Sequence, residues 1–277
     1  MLFFETGFTV IISNNKKETR FCILGTSASV PTKARDNTSI LFLSNDESIL
    51  VDCGSAPFRK LEMVGVSPRT LRHVIITHAD VDHVYGLPAL IQALWHSGHQ
   101  ETLTIHCLPE TWAVIDRLLS PFELLQKPGM FPVEFNVLPT TEMTNFLNTN
   151  DFRLYSSPVR HTVPNIGLRV EENISGARKT VVYSSDTEPC DSLLRLASNA
   201  DTLILECTFT SETTSRRGLM TSLDAGRIAA EASVSKLMLV HLDPTIQGKQ
   251  KQLIEEVRTN YRKDLVIPDD MAIFRFE

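Results

Sequence analysis

Short apolar runs of strand length recur along the 277-residue chain, with polar turns between them. Examples are FTVIIS at 8–13, SILFLS at 39–44 and LRHVIITH at 71–78, and most such runs end at Gly, Asn or Ser. Their length and their content of β-branched and large apolar residues predict strands. Segments with apolar residues at helical spacing lie between them, for example LPALIQALWHSG at 87–98, which ends at a glycine. The pattern therefore predicts a fold in which strands and helices are mixed throughout.

The composition is that of a globular protein without a membrane span. Apolar residues make up 42% and charged residues 22% of the chain, and it has no apolar run of ~18 residues. Residues 1–20 have neither a basic start nor a small-residue cleavage site. The five cysteines are widely spaced and form no C-x-x-C pair. We therefore expect a cytoplasmic protein with reduced cysteines.

We predict one domain over residues 1–277, since no repeat, low-complexity tract or linker divides the chain. The segment 108–150 is less regular and contains prolines at 109, 121, 128, 132 and 139. We expect it to hold one or two helices and a connection that covers a site. The alternative is a plain surface insertion.

A dense group of ligand-type residues follows the apolar run VII. The segment THADVDHVYGLP at 77–88 places His78, Asp80, Asp82 and His83 within six positions, where a strand turns toward a helix. Alternate residues of an extended chain project to one side, and imidazole and carboxylate are ordinary ligands for zinc, iron and manganese. The segment therefore predicts a metal site, with a polar turn in which Asp82 caps the next helix as the alternative.

Three later strands also end in a ligand-type residue. FRLYSSPVRH ends at His161, TVVYSSD ends at Asp186, and KLMLVH ends at His241. One histidine after an apolar strand is more often a hydrogen-bonded structural residue than a ligand. Three such endings together with the group at 77–88 favour a metal site, and a dinuclear centre needs this many ligands.

The order of these signals resembles the metallo-β-lactamase superfamily, and within it the ribonuclease Z branch. The resemblance covers nearly the whole chain and is carried by LGTSASVPTKARDNTS, ILVDCG, THADVDHVYGLP, HTVPNIGLRV, VYSSDTEP, LILECTF and LVHLDP. It implies an α/β (α+β) fold, a four-layer αββα sandwich of the metallo-β-lactamase type. The metal site would lie at one edge of the two sheets.

The resemblance also implies a role for individual residues. The implied metal ligands are His78, Asp80, Asp82, His83, His161, Asp186 and His241. His78 and His161 would hold a first metal, Asp82, His83 and His241 a second, and Asp186 would bridge the two. Asp82 would also orient or deprotonate the attacking water. Glu206 matches an acid that supports catalysis in the branch, and its alternative is a helix-capping or salt-bridging glutamate.

Three departures from the branch narrow the expected function. Asp80 stands where the motif has a second histidine, and a carboxylate there favours iron or manganese relative to zinc if it ligates directly. Met220 stands where the branch usually has a histidine in an H-S-T segment. The chain also has no long Gly-rich basic arm, and its net charge is −6. We therefore do not favour nucleic acid as the substrate.

The sequence thus predicts a metal-dependent hydrolase of the phosphodiesterase type. Water would be activated at a mono- or dinuclear centre that holds one or two divalent metal ions, zinc or, given Asp80, iron or manganese. The expected substrate is a small-molecule or short phosphodiester or ester. The alternatives are a ribonuclease Z-like endoribonuclease acting on tRNA 3′ ends and a catalytically degenerate metal-binding scaffold. A homodimer is compatible with the branch, and no membrane partner is expected.

Overall fold

The computed structural model describes residues 18–173, 178–213 and 218–276, so the strand predicted at 8–13 lies outside the described residues. The strands of the first sheet are β1 (Arg20–Gly25), β2 (Ser39–Leu43), β3 (Ser48–Val51), β4 (Leu71–Ile75), β5 (Leu103–Cys107), β6 (Val133–Val137) and β14 (Ala272–Arg275). Those of the second are β7 (Thr144–Asn148), β8 (Phe152–Val159), β9 (Asn165–Glu172), β10 (Thr180–Tyr183), β11 (Thr202–Glu206), β12 (Lys236–Val240) and β13 (Asp264–Val266). The helices are α1 (Pro57–Met63), α2 (Val81–Val84), α3 (Leu87–His96), α4 (Pro109–Leu119), α5 (Asp191–Ala197), α6 (Ser222–Glu231) and α7 (Gln250–Arg258).

The two sheets have the same internal plan. The first has the strand order β14-β1-β2-β3-β4-β5-β6, and the second has the order β13-β12-β11-β10-β9-β8-β7. In the first sheet β1, β2 and β3 pair antiparallel and β3 to β6 pair parallel. In the second, β7 to β10 pair antiparallel and β10 to β13 pair parallel. Helices connect the parallel strands, as such crossovers require.

Apolar side chains form three layers of core. Alternate residues of a strand face opposite sides of its sheet, so Phe21 and Ile23 of β1 face the second sheet, whereas Cys22 and Leu24 face the helices. One outer layer lies between the first sheet and α1, α3 and α4, and the other lies between the second sheet and α5, α6 and α7. The middle layer joins the two sheets. The predicted αββα sandwich is therefore confirmed.

The strands and helices predicted by apolar patterning are present in the described residues, and several others were missed. No element was assigned to residues 250–276, which form α7, β13 and β14. The segment 108–150 contains α4 as expected, but it also contains the edge strands β6 and β7. None of the helices among the described residues combines the length and the apolar character that a bilayer crossing requires.

Candidate metal centre

The chain leaves β4 through buried Ile76 and Thr77 and then turns at the motif that begins with His78. The helix that follows, α2, is a single turn, and Asp80 is its N-cap residue. The Asp80 side chain makes no capping hydrogen bond, and Asp82 lies inside the first turn rather than at the cap. The structure therefore does not support helix capping as the purpose of these carboxylates.

The loop after β3 is paired with the motif through the backbone. Cys53 N donates to the carbonyl of His83 at 2.7 Å, and Gly86 N donates to the carbonyl of Cys53 at 2.8 Å. A Cβ atom on Gly54 would lie 2.3 Å from the Asp82 carbonyl oxygen, a distance that a real side chain cannot adopt. This close approach explains the glycine in the D-C-G sequence and fixes α2 against the end of β3.

His78, Asp80 and His161 form one group of ligand-type atoms that lie within 4.8 Å of one another. Asp80 Oδ2 lies 3.1 Å from His161 Nε2 and 3.6 Å from His78 Nε2. His161 follows β8, so this group joins the ends of strands from both sheets. The carboxylate at the unusual position 80 thus reaches the two imidazoles that the sequence assigned to a first metal.

Asp82, His83 and His241 form a second group within the same limit of 4.8 Å. Asp82 Oδ2 lies 3.5 Å from His83 Nε2 and 3.6 Å from His241 Nε2. Asp186 lies between the two groups, because its Oδ2 is 3.8 Å from His78 Nε2, 3.5 Å from His83 Nε2 and 3.1 Å from His241 Nε2. The structure thus brings all seven predicted ligands together.

A buried carboxylate orients the imidazoles that come from the motif. His83 Nδ1 donates to Asp52 Oδ2 at 2.8 Å. Thr77 Oγ1 donates to the Asp52 carboxylate, at 2.9 Å from Oδ1, and is 3.0 Å from His78 Nδ1, from which it accepts. Each Nδ1 therefore carries the proton, which leaves Nε2 of each ring with a free lone pair.

The other two imidazoles are held in the same way from the second sheet. His161 Nδ1 donates to the carbonyl of Gly218 at 2.7 Å. His241 Nδ1 is 2.9 Å from Thr208 Oγ1, which in turn donates to Glu206 at 2.9 Å. All four histidines thus present Nε2 to the centre, as metal-ligating histidines do.

Five buried polar atoms in the centre have no hydrogen-bond partner among the residues that the structure describes. They are His78 Nε2, His83 Nε2, His241 Nε2, Asp82 Oδ2 and Asp186 Oδ1. Leaving one buried polar atom unpaired costs about 1–3 kcal/mol, so five in one place would be a heavy penalty without a partner. Nitrogen and carboxylate donors that converge in this way fit one or two divalent cations.

The carboxylates and imidazoles also set each other's charge. Burial raises the pKa of Asp186, but the imidazoles of His241 and His83 outweigh it and hold this pKa well below its usual value. Hydrogen bonding to His161 is the largest influence on Asp80 and lowers the pKa of that carboxyl. Both carboxylates are therefore anionic at neutral pH, the form in which they bind cations.

Three residues at the centre hold the left-handed backbone conformation although none is glycine. Asp52, Ser185 and His241 have φ of 60°, 54° and 57°, and each directly follows a buried strand or lies within two residues of its end. Such conformations cost about 1–3 kcal/mol each and concentrate at functional sites. These conformations turn the chain just after β3, β10 and β12. The predicted ligands lie around these strand ends, at one edge of the sandwich.

Glu206 lies behind the ligands and forms no ion pair with the described residues. Its carboxylate accepts hydrogen bonds from Met220 N at 2.6 Å, Thr208 N at 3.0 Å and Thr187 N at 3.3 Å. Burial raises the pKa of Glu206 to about 8, against the opposing effect of His241. Neither predicted alternative, helix capping or salt bridging, is seen, and Glu206 instead joins three loops beneath the centre.

Met220, at the position of the expected histidine, does not face the ligands. Its side chain is fully buried in the apolar layer between the second sheet and its helices. Sequence reasoning missed Asp52, which orients His83 directly and His78 through Thr77. The D-C-G sequence after β3 marks Asp52 as a residue of interest. It does not indicate that Asp52 would contact His83 and Thr77.

A family model described as a beta-lactamase superfamily domain matches residues 47–242, which is more than half of the chain. The chain belongs to the β-lactamase superfamily. The match begins just before β3 and ends just after His241, so it contains every predicted ligand. The predicted resemblance to the metallo-β-lactamase superfamily is therefore confirmed.

Relatives within the superfamily point to the ribonuclease Z branch. Ribonuclease Z of Methanothermobacter thermautotrophicus is 28% identical to this chain, and the alignment covers 90% of the chain and 94% of the relative. The metallo-β-lactamase fold protein YhfI from Bacillus subtilis is 28% identical, with a TM-score of 0.77 over 94% of this chain and 99% of YhfI. The short form of human tRNase Z is 20% identical, with a TM-score of 0.73 over 93% and 99%, and at that identity it supports the fold alone.

The superfamily and the cluster of ligands make this protein a metal-dependent hydrolase. They imply divalent metal ions without identifying the element. The cellular compartment stays a prediction.

Proposed function

We propose that this protein is a metal-dependent phosphodiesterase of the ribonuclease Z type that cleaves phosphodiester bonds of RNA. The observation that carries the proposal is the pair of three-residue groups on either side of Asp186. The resemblance to ribonuclease Z over most of both chains supports RNA as the substrate to test first.

The residues divide into two ligand sets. His78, Asp80 and His161 would hold one cation, Asp82, His83 and His241 would hold the other, and Asp186 would contact both. Divalent cations in such a pair lower the pKa of water and stabilise negative charge on the attacking and leaving oxygens of a phosphodiester. Because Asp80 supplies a carboxylate where the motif has an imidazole, we propose iron or manganese ahead of zinc for the first position.

Asp82 is the residue we assign to water activation. Its Oδ2 is buried and has no hydrogen-bond partner among the described residues. Burial raises the pKa of Asp82, but the neighbouring imidazoles of His241 and His83 together outweigh it and hold this pKa below its usual value. Asp82 thus orients a water molecule and accepts its proton at a carboxylate oxygen.

Glu206 acts through other residues rather than on the substrate. Through Thr208 it fixes the Nδ1 proton of His241, and through Met220 N it fixes the start of the segment that leads into α6. We therefore propose a positioning role for Glu206 in place of direct catalysis.

Small phosphodiesters are the second candidate substrate, because Met220 is buried away from the centre. A ribose hydroxyl is a poor leaving group and gains from a proton donor, which a thioether cannot supply. Aryl and other good leaving groups do not need that proton.

The test measures turnover of a 3′-extended precursor tRNA and of bis(p-nitrophenyl) phosphate by protein reconstituted with Zn²⁺, Mn²⁺ or Fe²⁺. We expect cleavage of the precursor, with Asp186→Asn lowering kcat at least 100-fold while the fold is retained by circular dichroism. Cleavage of the aryl ester without cleavage of the precursor would support the small-substrate candidate. Full metal loading with no turnover of either would overturn the proposal in favour of a binding scaffold.

A further inference from the structure

A cleft of about 710 Å³ opens beside the metal centre on the side of His161. It is lined by the end of β8 and the turn after it at residues 158–164, by residues 189–192 and Arg195 at the start of α5, and by Glu142. Clefts that bind small ligands have volumes of roughly 300–1,000 Å³. Because His161 belongs both to the cleft and to the ligand cluster, a molecule in the cleft would extend directly from the reacting centre.

Arg160 lines this cleft and comes immediately before His161. Its backbone is fixed on both sides, since its N donates to Thr187 Oγ1 at 3.1 Å and its carbonyl accepts from Glu188 N at 2.7 Å. Its side chain is exposed, and within the described ranges its guanidinium has no hydrogen bond and no ion pair. A fixed backbone with an unengaged guanidinium is suited to binding an anionic ligand.

The second arginine of the cleft is already engaged. Arg195 Nε and Nη2 each lie 2.7 Å from an oxygen of the Glu142 carboxylate, which makes a two-pronged ion pair. Hydrogen bonding to Glu142, and to a smaller extent the charge of Asp191, raises the pKa of Arg195. Glu142 is thus engaged by Arg195, and the guanidinium of Arg160 is left for a ligand.

Several apolar side chains also line the cleft. They are Pro158, Val159, Val163, Pro164 and Pro189. Apolar side chains beside an unengaged guanidinium favour a ligand that has a flat or apolar body and a separate anionic group. A nucleoside with a phosphate has this combination.

We propose that Arg160 binds a second phosphate of the substrate, one nucleotide away from the phosphodiester that is cleaved. The inference rests on the proposed phosphodiesterase function and refines its substrate class. The preferred substrate is then a nucleotide chain, or a nucleotide with an additional phosphate, rather than a minimal diester. The planar fork of the arginine matches two phosphate oxygens at once.

The test compares two chromogenic esters that differ by one phosphate. They are the 5′-(p-nitrophenyl phosphate) of thymidine and the same compound with a 3′-phosphate. We expect the 3′-phosphate to lower KM about tenfold in the wild type, and we expect Arg160→Gln to bring the ratio of the two KM values close to one. Arg160→Lys, which keeps the charge but not the fork, should restore part of the ratio. Arg117→Gln on α4, an exposed arginine outside the cleft, should leave the ratio unchanged.

A binding measurement keeps this inference separate from the proposed function. Calorimetry on metal-loaded protein compares thymidine 3′,5′-bisphosphate with thymidine 5′-monophosphate, and Arg160→Gln should weaken binding of the bisphosphate about tenfold more than binding of the monophosphate. Turnover of the esters with a KM ratio that Arg160→Gln does not change would overturn the role of Arg160 alone. Absence of turnover together with an Arg160-dependent preference for the bisphosphate would overturn the phosphodiesterase and leave the phosphate site.

Discussion

Asp80 is the residue at which this chain departs most from the superfamily motif, and its carboxylate lies close to the imidazoles of His161 and His78. Its Oδ2 lies 3.1 Å from His161 Nε2, and 40% of its side chain is exposed. An aspartate is shorter than the histidine of the motif, yet it reaches the imidazoles from its place at the start of α2. We propose Asp80 as the solvent-facing, harder ligand of the first metal position.

Replacing Asp80 by histidine should change which metal is retained. With a third imidazole the first position becomes softer, so Asp80→His should shift the retained metal from manganese or iron toward zinc after dialysis against equimolar mixtures. Metal analysis by mass spectrometry reads this out directly. Asp80→Asn is the control, because it keeps the size but removes the charge, and it should lower metal content without favouring zinc. An unchanged metal ratio in Asp80→His would show that position 80 does not ligate.

Gly218 is predicted to support the first metal position through its backbone. Its φ is +76°, and a Cβ on it would lie 2.7 Å from His161 Nδ1, the atom that its own carbonyl holds. Gly218→Ala should therefore lower metal affinity at this position about 10- to 100-fold, measured by competition with a chelator.

Gly248→Ala provides the matched control for that change. Gly248 also has a positive φ, of +84°, but its Cβ would meet nothing within 4 Å. The control should show the loss of stability that any alanine suffers in this conformation, without the loss of metal. Equal metal affinity in the two variants would contradict the role assigned to the Gly218 carbonyl.

The seven candidate ligands could be singled out from the sequence because they follow recognisable apolar strands, and the structure brings them together. The residues that orient them could not. Asp52 contacts His83 across 31 positions, and Gly218 contacts His161 across 57, and no local pattern encodes such pairings. The position of the Met220 side chain could not be predicted either. The sequence shows that a histidine is absent, but not that the thioether packs into the core.

Among the elements, those with the strongest apolar patterns were the ones predicted correctly. The missed strands β6, β7 and β14 alternate between partly buried and exposed residues, and β13 has three residues. They lie at or near the edges of the sheets, where one face and one side of a strand remain in water. The missed helix α7 buries Leu253 and Val257 in an otherwise polar sequence. Elements that bury few apolar side chains have a weak apolar pattern in the sequence, so they are harder to predict.

Strands β4 and β5 carry a pair of histidines that makes a prediction about pH. His73 Nδ1 lies 3.1 Å from His106 Nε2, and Asn136 lies 3.0 Å from the other nitrogen of His106. Burial lowers the pKa of His106 to about 3 and that of His73 to about 4. The folded protein therefore keeps both rings neutral, whereas the unfolded chain takes up protons below its ordinary histidine pKa of about 6.5.

The free energy of unfolding should therefore fall as the pH is lowered from 7 to 5, because the unfolded state binds more protons in this window. For His106, which is 2% exposed, the loss is about 2 kcal/mol. His106→Gln should remove that part of the decline in urea unfolding, and the metal centre contributes equally to both proteins. Parallel pH profiles for wild type and variant would contradict a neutral, buried His106.

At the scale of the whole molecule, the two sheets have the same order of antiparallel and parallel strand pairs. The ends of their strands meet at one edge of the sandwich. The first sheet contributes His78 after β4, and the second contributes His161, Asp186 and His241 after β8, β10 and β12. Neither sheet alone supplies a complete ligand set, so the centre exists only when the two sheets pack together through their shared apolar layer. The αββα architecture could be inferred from the resemblance, but the exact contacts between the sheets required the structure.

The central claim is that this edge holds two divalent cations that share Asp186. Anomalous diffraction at the absorption edge of manganese, on crystals grown with Mn²⁺, tests it most directly. We predict two peaks, one in contact with His78 and His161, the other with His83 and His241, and both in contact with Asp186. Absence of both peaks at saturating metal, or peaks that lie away from these side chains, would contradict the claim.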